Sequence, residues 1–134
     1  MKERKTVLIV DDDADDREML KDAFTVSHEE ANYITLENGD ALLRYLADQL
    51  TAKPSIIVLD LNMPGKDGRE TLKEIKSNSE LKSIPIIVFT TSSSGQDKKV
   101  CYENGANCFI TKPDTFNKLT ELTNHISYLW LKNL

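Results

Sequence analysis

Ile56-Ile57-Val58-Leu59-Asp60 is a run of apolar residues ending in a carboxylate, and Asn62-Met63-Pro64-Gly65 turns the chain directly afterwards. The run is short, β-branched and uninterrupted, which predicts a strand buried on both faces, as in a parallel sheet. Asp60 then falls at the strand's C-terminal edge, where open α/β sheets carry their ligands. Three more segments end in the same manner. Val7-Leu8-Ile9-Val10 runs into Asp11-Asp12-Asp13, Ile86-Ile87-Val88-Phe89 into Thr90-Thr91, and Cys108-Phe109-Ile110 into Thr111-Lys112-Pro113. An acidic cluster, a lone Asp, a hydroxyl and a lysine therefore sit at successive strand ends.

Between these strands the pattern is helical. Lys5 to Val10 is strand one. Asp15 to about Val26 follows, with Met19, Ala23 and Val26 on one stripe and Leu20 and Phe24 beside it. Tyr33 to Leu36 is a short second strand. Asn38-Gly39 signals a turn into a helix from Asp40 to about Leu50, with Leu42, Leu43, Leu46 and Leu50 inward. Lys53-Pro54 breaks the chain before strand three. Lys66-Asp67-Gly68 precedes a third helix containing Leu72 and Ile75, and Pro85 opens strand four. Ser92 to Gly95 is a polar loop, Gln96 to Glu103 a short polar helix, and Asn104-Gly105 a stop signal. Thr115 to about Leu131 is the last helix. Taken on a straight wheel, its stripe of Leu119, Leu122, Ile126, Leu129 and Trp130 packs on the sheet, with Tyr128 and Leu131 off it. Five strands alternating with five helices imply a parallel, doubly wound α/β sheet with helices on both faces.

The 134 residues are enough for one domain, and 40% hydrophobic with 29% charged is an ordinary globular balance. A net charge of -5 argues against general nucleic-acid binding, which needs clustered Lys and Arg. No apolar stretch approaches the roughly 20 residues that span a bilayer, and the N-terminus lacks a signal-peptide core, so a cytoplasmic setting is expected. Cys101 and Cys108 are read as half-buried, reduced thiols, and His28 and His125 as surface residues.

A carboxylate can accept a phosphoryl group as an acyl phosphate, but anion must then attack anion. A divalent cation relieves that repulsion, and Mg²⁺ prefers hard oxygen ligands. Asp11, Asp12 and Asp60 supply them, with one backbone carbonyl just after Asp60. Helix capping accounts for Asp13 or Asp15, but capping needs only one carboxylate of an adjacent, mutually repelling set. An X-Pro bond is the usual setting for a cis peptide, and a cis Lys112–Pro113 bond is one way to aim Lys112 inward.

The ordered segments VLIVDDD, IIVLDLNMPGKDG, IIVFTT and FITKP, spread over nearly the whole chain, resemble the receiver domain of two-component response regulators. The resemblance implies a flavodoxin-like (βα)5 fold with strand order 2-1-3-4-5, forming a single receiver domain over 1–134 with no output domain. It implies that Asp60 is the phospho-acceptor, that Asp12 binds Mg²⁺ directly and Asp11 largely through water, and that the Asn62 backbone carbonyl completes the protein's ligands. Thr90 would hydrogen-bond the phosphoryl group, Lys112 would pair with it, and Phe109 would be the switch aromatic on an α4-β5-α5 interaction face. Asn62 and Ser92 would flank the path of hydrolytic water. The segments KSNSELKSIPIIVFTTSSS, DDDADDREML and ISYLWLKNL are similar to small regulators of phytochrome kinases, which points to a phytochrome-type histidine kinase as partner and to a homodimer. Two departures stand out: Asp114 where many receivers carry Phe, and Thr91, larger than the usual Ala and a hindrance to the swing of Phe109.

Two rival chemistries fit less well. A haloacid-dehalogenase-type phosphatase needs a second Asp two residues after its nucleophile, where this chain has Asn62. A flavin or nucleotide binder wants its phosphate loop after strand one, whereas Ser92-Ser93-Ser94-Gly95 follows strand four. A pseudo-receiver that only binds proteins is at odds with the full set of Asp11, Asp12, Asp60, Thr90 and Lys112.

Overall fold

A computed structural model of the chain describes residues 4–28, 30–48 and 53–132. Five parallel strands form one sheet: β1 (Thr6–Val10), β2 (Asn32–Leu36), β3 (Ile56–Leu59), β4 (Ile86–Thr90) and β5 (Cys108–Thr111). Their spatial order is β2-β1-β3-β4-β5, as expected. Every residue of β1, β3 and β4 is buried, while the edge strands β2 and β5 are mixed. The apolar runs are continuous because both faces of the central strands are covered.

Successive side chains alternate between two cores. Leu8, Val10, Ile57 and Leu59 face a core shared with Leu42, Leu72, Ile75 and Cys101. These come from α2 (Gly39–Ala47), α3 (Gly68–Lys76) and α4 (Gly95–Glu103). Val7, Ile9, Ile56 and Val58 face the other core, under α1 (Ala14–Ser27) and α5 (Phe116–Ile126), with Ala23, Phe24, Leu119 and Ile126.

All five α-helices begin at a side-chain cap. Asp13, Asn38, Asp67, Ser94 and Thr115 each accept a hydrogen bond from the backbone N–H two or three residues further on. Such a cap contributes about 0.5–2 kcal/mol. Asp13, rather than Asp15, caps α1. Gly105, with φ of +97°, follows the last turn of α4 and confirms the stop read at Asn104-Gly105.

Several expectations need correction. The buried stripe of α1 is Leu20, Ala23 and Phe24, and Met19 and Val26 are exposed. The sheet lies under the Leu20–Phe24 flank, about one residue step around the wheel from the expected line. Helix α2 ends at Ala47, capped by Asp48, with Leu42 buried and Leu43 and Leu46 partly so. Leu50 lies outside the described residues. Cys101 is buried rather than half-buried, and both cysteines are free. No cis peptide occurs among the described residues, so Lys112–Pro113 is trans.

The largest difference is at the end of α5. After Ile126 the chain widens into a π-helical turn, Ser127–Leu131, where the Lys132 N–H bonds the Ser127 carbonyl five residues back at 3.0 Å. The wider turn puts Leu131 in the same core as Ile126, so Leu131 is 2% exposed while Leu129 is 60% exposed and Tyr128 also faces outward. A straight wheel at 3.6 residues per turn assigns the reverse. Leu131→Ala is therefore expected to cost about 2–4 kcal/mol in urea denaturation. Leu129→Ala should stay within about 0.5 kcal/mol of the parent.

Candidate functional site

Parallel strands put all their C-terminal ends on one rim, and hydrogen bonds just past those ends fix what stands there. The Asp60 N–H bonds the Val10 carbonyl at 3.0 Å, and the Asp11 N–H bonds the Leu36 carbonyl at 3.1 Å. The Lys112 N–H bonds the Thr90 carbonyl at 2.7 Å. Asp11, Asp60 and Lys112 thus continue the sheet's ladder beyond β1, β3 and β5, next to Thr90 at the end of β4. This direction of the backbone, with no cis bond, carries Lys112 inward.

The carboxylates converge. One oxygen from each of Asp11, Asp12 and Asp60 lies within 4.8 Å of the others. Asp11 and Asp60 are buried and Asp12 is exposed. Lys112 Nζ stands 2.7 Å from Asp11 Oδ2, 2.9 Å from Asp16 Oδ2 and 3.8 Å from Asp60 Oδ2. Asp11 Oδ1 also accepts the Asp13 N–H at 2.9 Å, and Arg17 Nη1 donates to the Asp11 carbonyl at 2.7 Å. Asp60 Oδ1 is buried with no hydrogen-bond partner among the described residues.

Burial raises the Asp60 carboxyl above its ordinary value; Lys112 opposes this, Asp11 adds to it, and the backbone N–H groups of Asn62 and Leu61 lower it again. Burial likewise raises Asp11, against its hydrogen bonds from Lys112 and Asp13. Burial alone would depress Lys112, but the hydrogen bonds to Asp11 and Asp16 and the charges of Asp11 and Asp60 hold its ammonium well above the usual lysine range. The ammonium is therefore a fixed charge.

Thr90 is fully buried, and its hydroxyl accepts from Asn62 Nδ2 at 3.4 Å and from the Ser92 N–H at 3.3 Å. Among the described residues no acceptor takes its own O–H. Ser92 Oγ donates to Asp97 Oδ2 at 2.7 Å, and Asp97 Oδ1 accepts from Arg69 Nη2 at 2.8 Å. Those two donors hold the Asp97 carboxyl below its ordinary value. The loop leaving Thr90 is thereby tied to both α4 and α3. Phe109 is partly buried against the α2–α3–α4 core, and its N–H bonds the Tyr102 hydroxyl at 3.0 Å. Asp114 is turned outward and pairs with Lys118 at 3.0 Å, a contact suited to the start of α5 and not to burial.

Two residues were not singled out from the sequence. Asp16 is the second carboxylate on Lys112, and only the fold brings the two together. Gly68 lies under the Asp60 loop: its N–H bonds the Leu61 carbonyl at 3.0 Å, and a Cβ there would stand 2.2 Å from the Asp60 carbonyl oxygen. Glycine at the start of α3 is what lets the acceptor's loop rest on the helix.

Residues 7–124 match the model of the response regulator receiver domain. The chain is a response regulator receiver domain. It is 36% identical over 134 residues to Response regulator Rcp1 of Synechocystis, covering 97% of this chain and 91% of that protein. It is also 32% identical to Two-component response regulator ARR17 of Arabidopsis thaliana, over 94% of this chain and 87% of that protein. Among solved structures it resembles the phosphorylated cyanobacterial phytochrome response regulator RcpA, with a TM-score of 0.90 and 34% identity over 97% of this chain and 96% of that one. The Mn²⁺-bound form of Rcp1 superposes with a TM-score of 0.87 at 36% identity, over 97% and 96% of the two chains. The receiver thus belongs to two-component signalling, in which such domains work with histidine kinases, and it is a signalling protein rather than a turnover enzyme. Its acidic rim suits a divalent cation. No described helix is long and apolar enough to cross a membrane.

The close approach at Gly68 has a measurable consequence. Gly68→Ala must push the Asp60–Leu61 backbone aside, and is expected to lower stability by about 1–3 kcal/mol in urea denaturation. Gly95→Ala, where no neighbouring atom lies within 4 Å of the added Cβ, is the control and should be near neutral.

Proposed function

We propose that Asp60 is the phospho-acceptor of this receiver, taking its phosphoryl group from a kinase phosphohistidine or from a small phosphodonor. The observation that carries the proposal is Asp60 Oδ1: a buried carboxylate oxygen without a hydrogen-bond partner among the described residues, beside two more carboxylates. Buried polar atoms are rarely left unpaired, and an orphan oxygen in an anionic cluster is what a cation site looks like without its ion. Hard oxygen donors from Asp11, Asp12 and Asp60 fit Mg²⁺, with the Asn62 backbone carbonyl assigned by the family resemblance. Bound there, Mg²⁺ supplies the positive charge that lets an anion approach an anionic phosphate.

The protein's own steps follow from its side chains. One Asp60 carboxylate oxygen forms a bond to phosphorus as the donor's P–N or P–O bond breaks. Three non-bridging oxygens then stand on the rim. Thr90 gives its free O–H to one of them, and Lys112 pairs with another. Drawing Thr90 inward pulls at the Asn62 and Ser92 contacts, Phe109 follows, and the α4–β5–α5 face changes shape. Phosphate moves this equilibrium only by the difference between its contacts in the two states. Self-dephosphorylation is attack of water on phosphorus along a path beside Asn62, which breaks the bond to Asp60, restores its carboxylate and releases inorganic phosphate. Ser92 is a weaker candidate for that path than its position implies, because its hydroxyl is committed to Asp97.

The partner kinase is proposed to be of phytochrome type, on the likeness to Rcp1 and RcpA, in a cytoplasmic setting and with the receiver acting as a stand-alone domain. The exposed Tyr128 and Leu129 favour a homodimer through the end of α5. No basic groove for nucleic acid is part of this reading.

With acetyl phosphate and Mg²⁺, radiolabel should enter the parent protein and be absent from Asp60→Asn, whose far-ultraviolet circular dichroism stays native. EDTA should abolish labelling of the parent. Label entering Asp60→Asn at the parent's rate would remove Asp60 from the role.

A further inference from the structure

Lys112 has three N–H protons to give, and its surroundings divide them unequally. Asp11 takes one at 2.7 Å and Asp16 takes another at 2.9 Å, while Asp60 at 3.8 Å is beyond hydrogen-bond reach. The ammonium that a phosphoryl group on Asp60 needs is thus held away from Asp60 by two carboxylates. One of them is not part of the cation cluster. Asp16 lies in the first turn of α1, fixed there by its own N–H, which bonds the Asp13 cap at 3.1 Å. The helix start aims Asp16 back over the end of β1 toward β5.

We propose that Asp16 is a positioning residue that holds Lys112 in the resting state and lets go when the phosphoryl group arrives; this rests on Asp60 being the acceptor. The two carboxylates on Lys112 are not equally easy to leave. The Asp11 side chain is 7% exposed, and an uncompensated buried charge is costly. The Asp16 side chain is 43% exposed and is rehydrated as soon as it is released. The bond to Asp16 is therefore the one surrendered. Because Asp16 holds Lys112 only before transfer, it stabilises the resting state selectively, and that is the sole way a contact can bias such an equilibrium. Asp16 is thus a brake on activation, set outside the acceptor's own ligands.

Beryllofluoride with Mg²⁺, a mimic of the phosphoryl group on a carboxylate, tests this without a kinase. The concentration for half-saturation is read by ¹⁹F NMR at saturating Mg²⁺ in the full chain. Asp16→Asn keeps the shape and removes the charge, and should bind beryllofluoride about threefold more tightly than the parent, within the range a half-exposed ion pair supports. Asp16→Glu should return toward the parent. Asp15→Asn removes the same formal charge from the exposed neighbour and should match the parent. A gain of binding is not something a damaged fold produces. Equal or weaker binding by Asp16→Asn, with the parent binding normally, overturns the brake. A tightening shared by Asp15→Asn also overturns it, reducing the effect to net charge. Absence of binding by the parent itself contradicts the acceptor reading beneath it.

Discussion

Three carboxylates crowd one rim of the sheet, and a single ammonium stands among them. That imbalance is the constraint on which the rest of the structure depends. It exists because parallel strands all end on the same side, so residues separated by nearly fifty positions, Asp11 and Asp60, become neighbours across one ladder step. Like charges at such separations repel by amounts that depend steeply on how much water reaches them. Lys112 relieves Asp11 directly and Asp60 only at a distance. What remains is Asp60 Oδ1, a buried oxygen with no hydrogen-bond partner among the described residues.

The fold serves that rim in several ways. Buried strands on both faces hold the carboxylates' backbones rigidly, which gives a charged cluster a fixed geometry rather than a mobile one. Gly68 allows the Asp60 loop to lie against α3, and Asp67 caps the same helix one residue earlier. Arg69 continues the chain of contacts from α3 through Asp97 to Ser92, two residues past Thr90. The hydroxyl expected to sense the phosphoryl group is therefore joined by covalent and hydrogen bonds to the helix whose face is expected to change. Each link is a direct contact, so a displacement at Thr90 has a physical route to α4 and α3.

Much of this was legible in the sequence because the signals were local. An apolar run that stops at a polar residue marks both a buried strand and the side of the sheet on which its end lies, so Asp60, Thr90 and Lys112 could be placed before any coordinates. Caps were legible for the same reason, although choosing Asp13 over Asp15 needed the backbone. What escaped depended on geometry that no window of residues contains. The wheel for α5 assumed a constant 3.6 residues per turn, and the π-helical turn after Ile126 exchanged Leu129 for Leu131 in the core. Asp16 reads as one more acidic residue at a helix start, and its meaning appears only when Lys112 arrives from ninety-six residues away. The inward course of Lys112 needed no cis proline, because the ladder bond to Thr90 already sets its direction.

The carboxylates of this rim repel one another, and a divalent cation is the partner that their oxygens suit. Urea denaturation of the parent and of Asp60→Asn, each with and without Mg²⁺, measures this directly. Without metal, the Asn variant should be the more stable by about 1 kcal/mol, because a buried charge lacking a close partner has been removed. Adding Mg²⁺ should raise the parent's midpoint through binding to the folded state and leave the variant's nearly unmoved. A parent indifferent to Mg²⁺, or a metal-free variant less stable than the parent, would contradict the account.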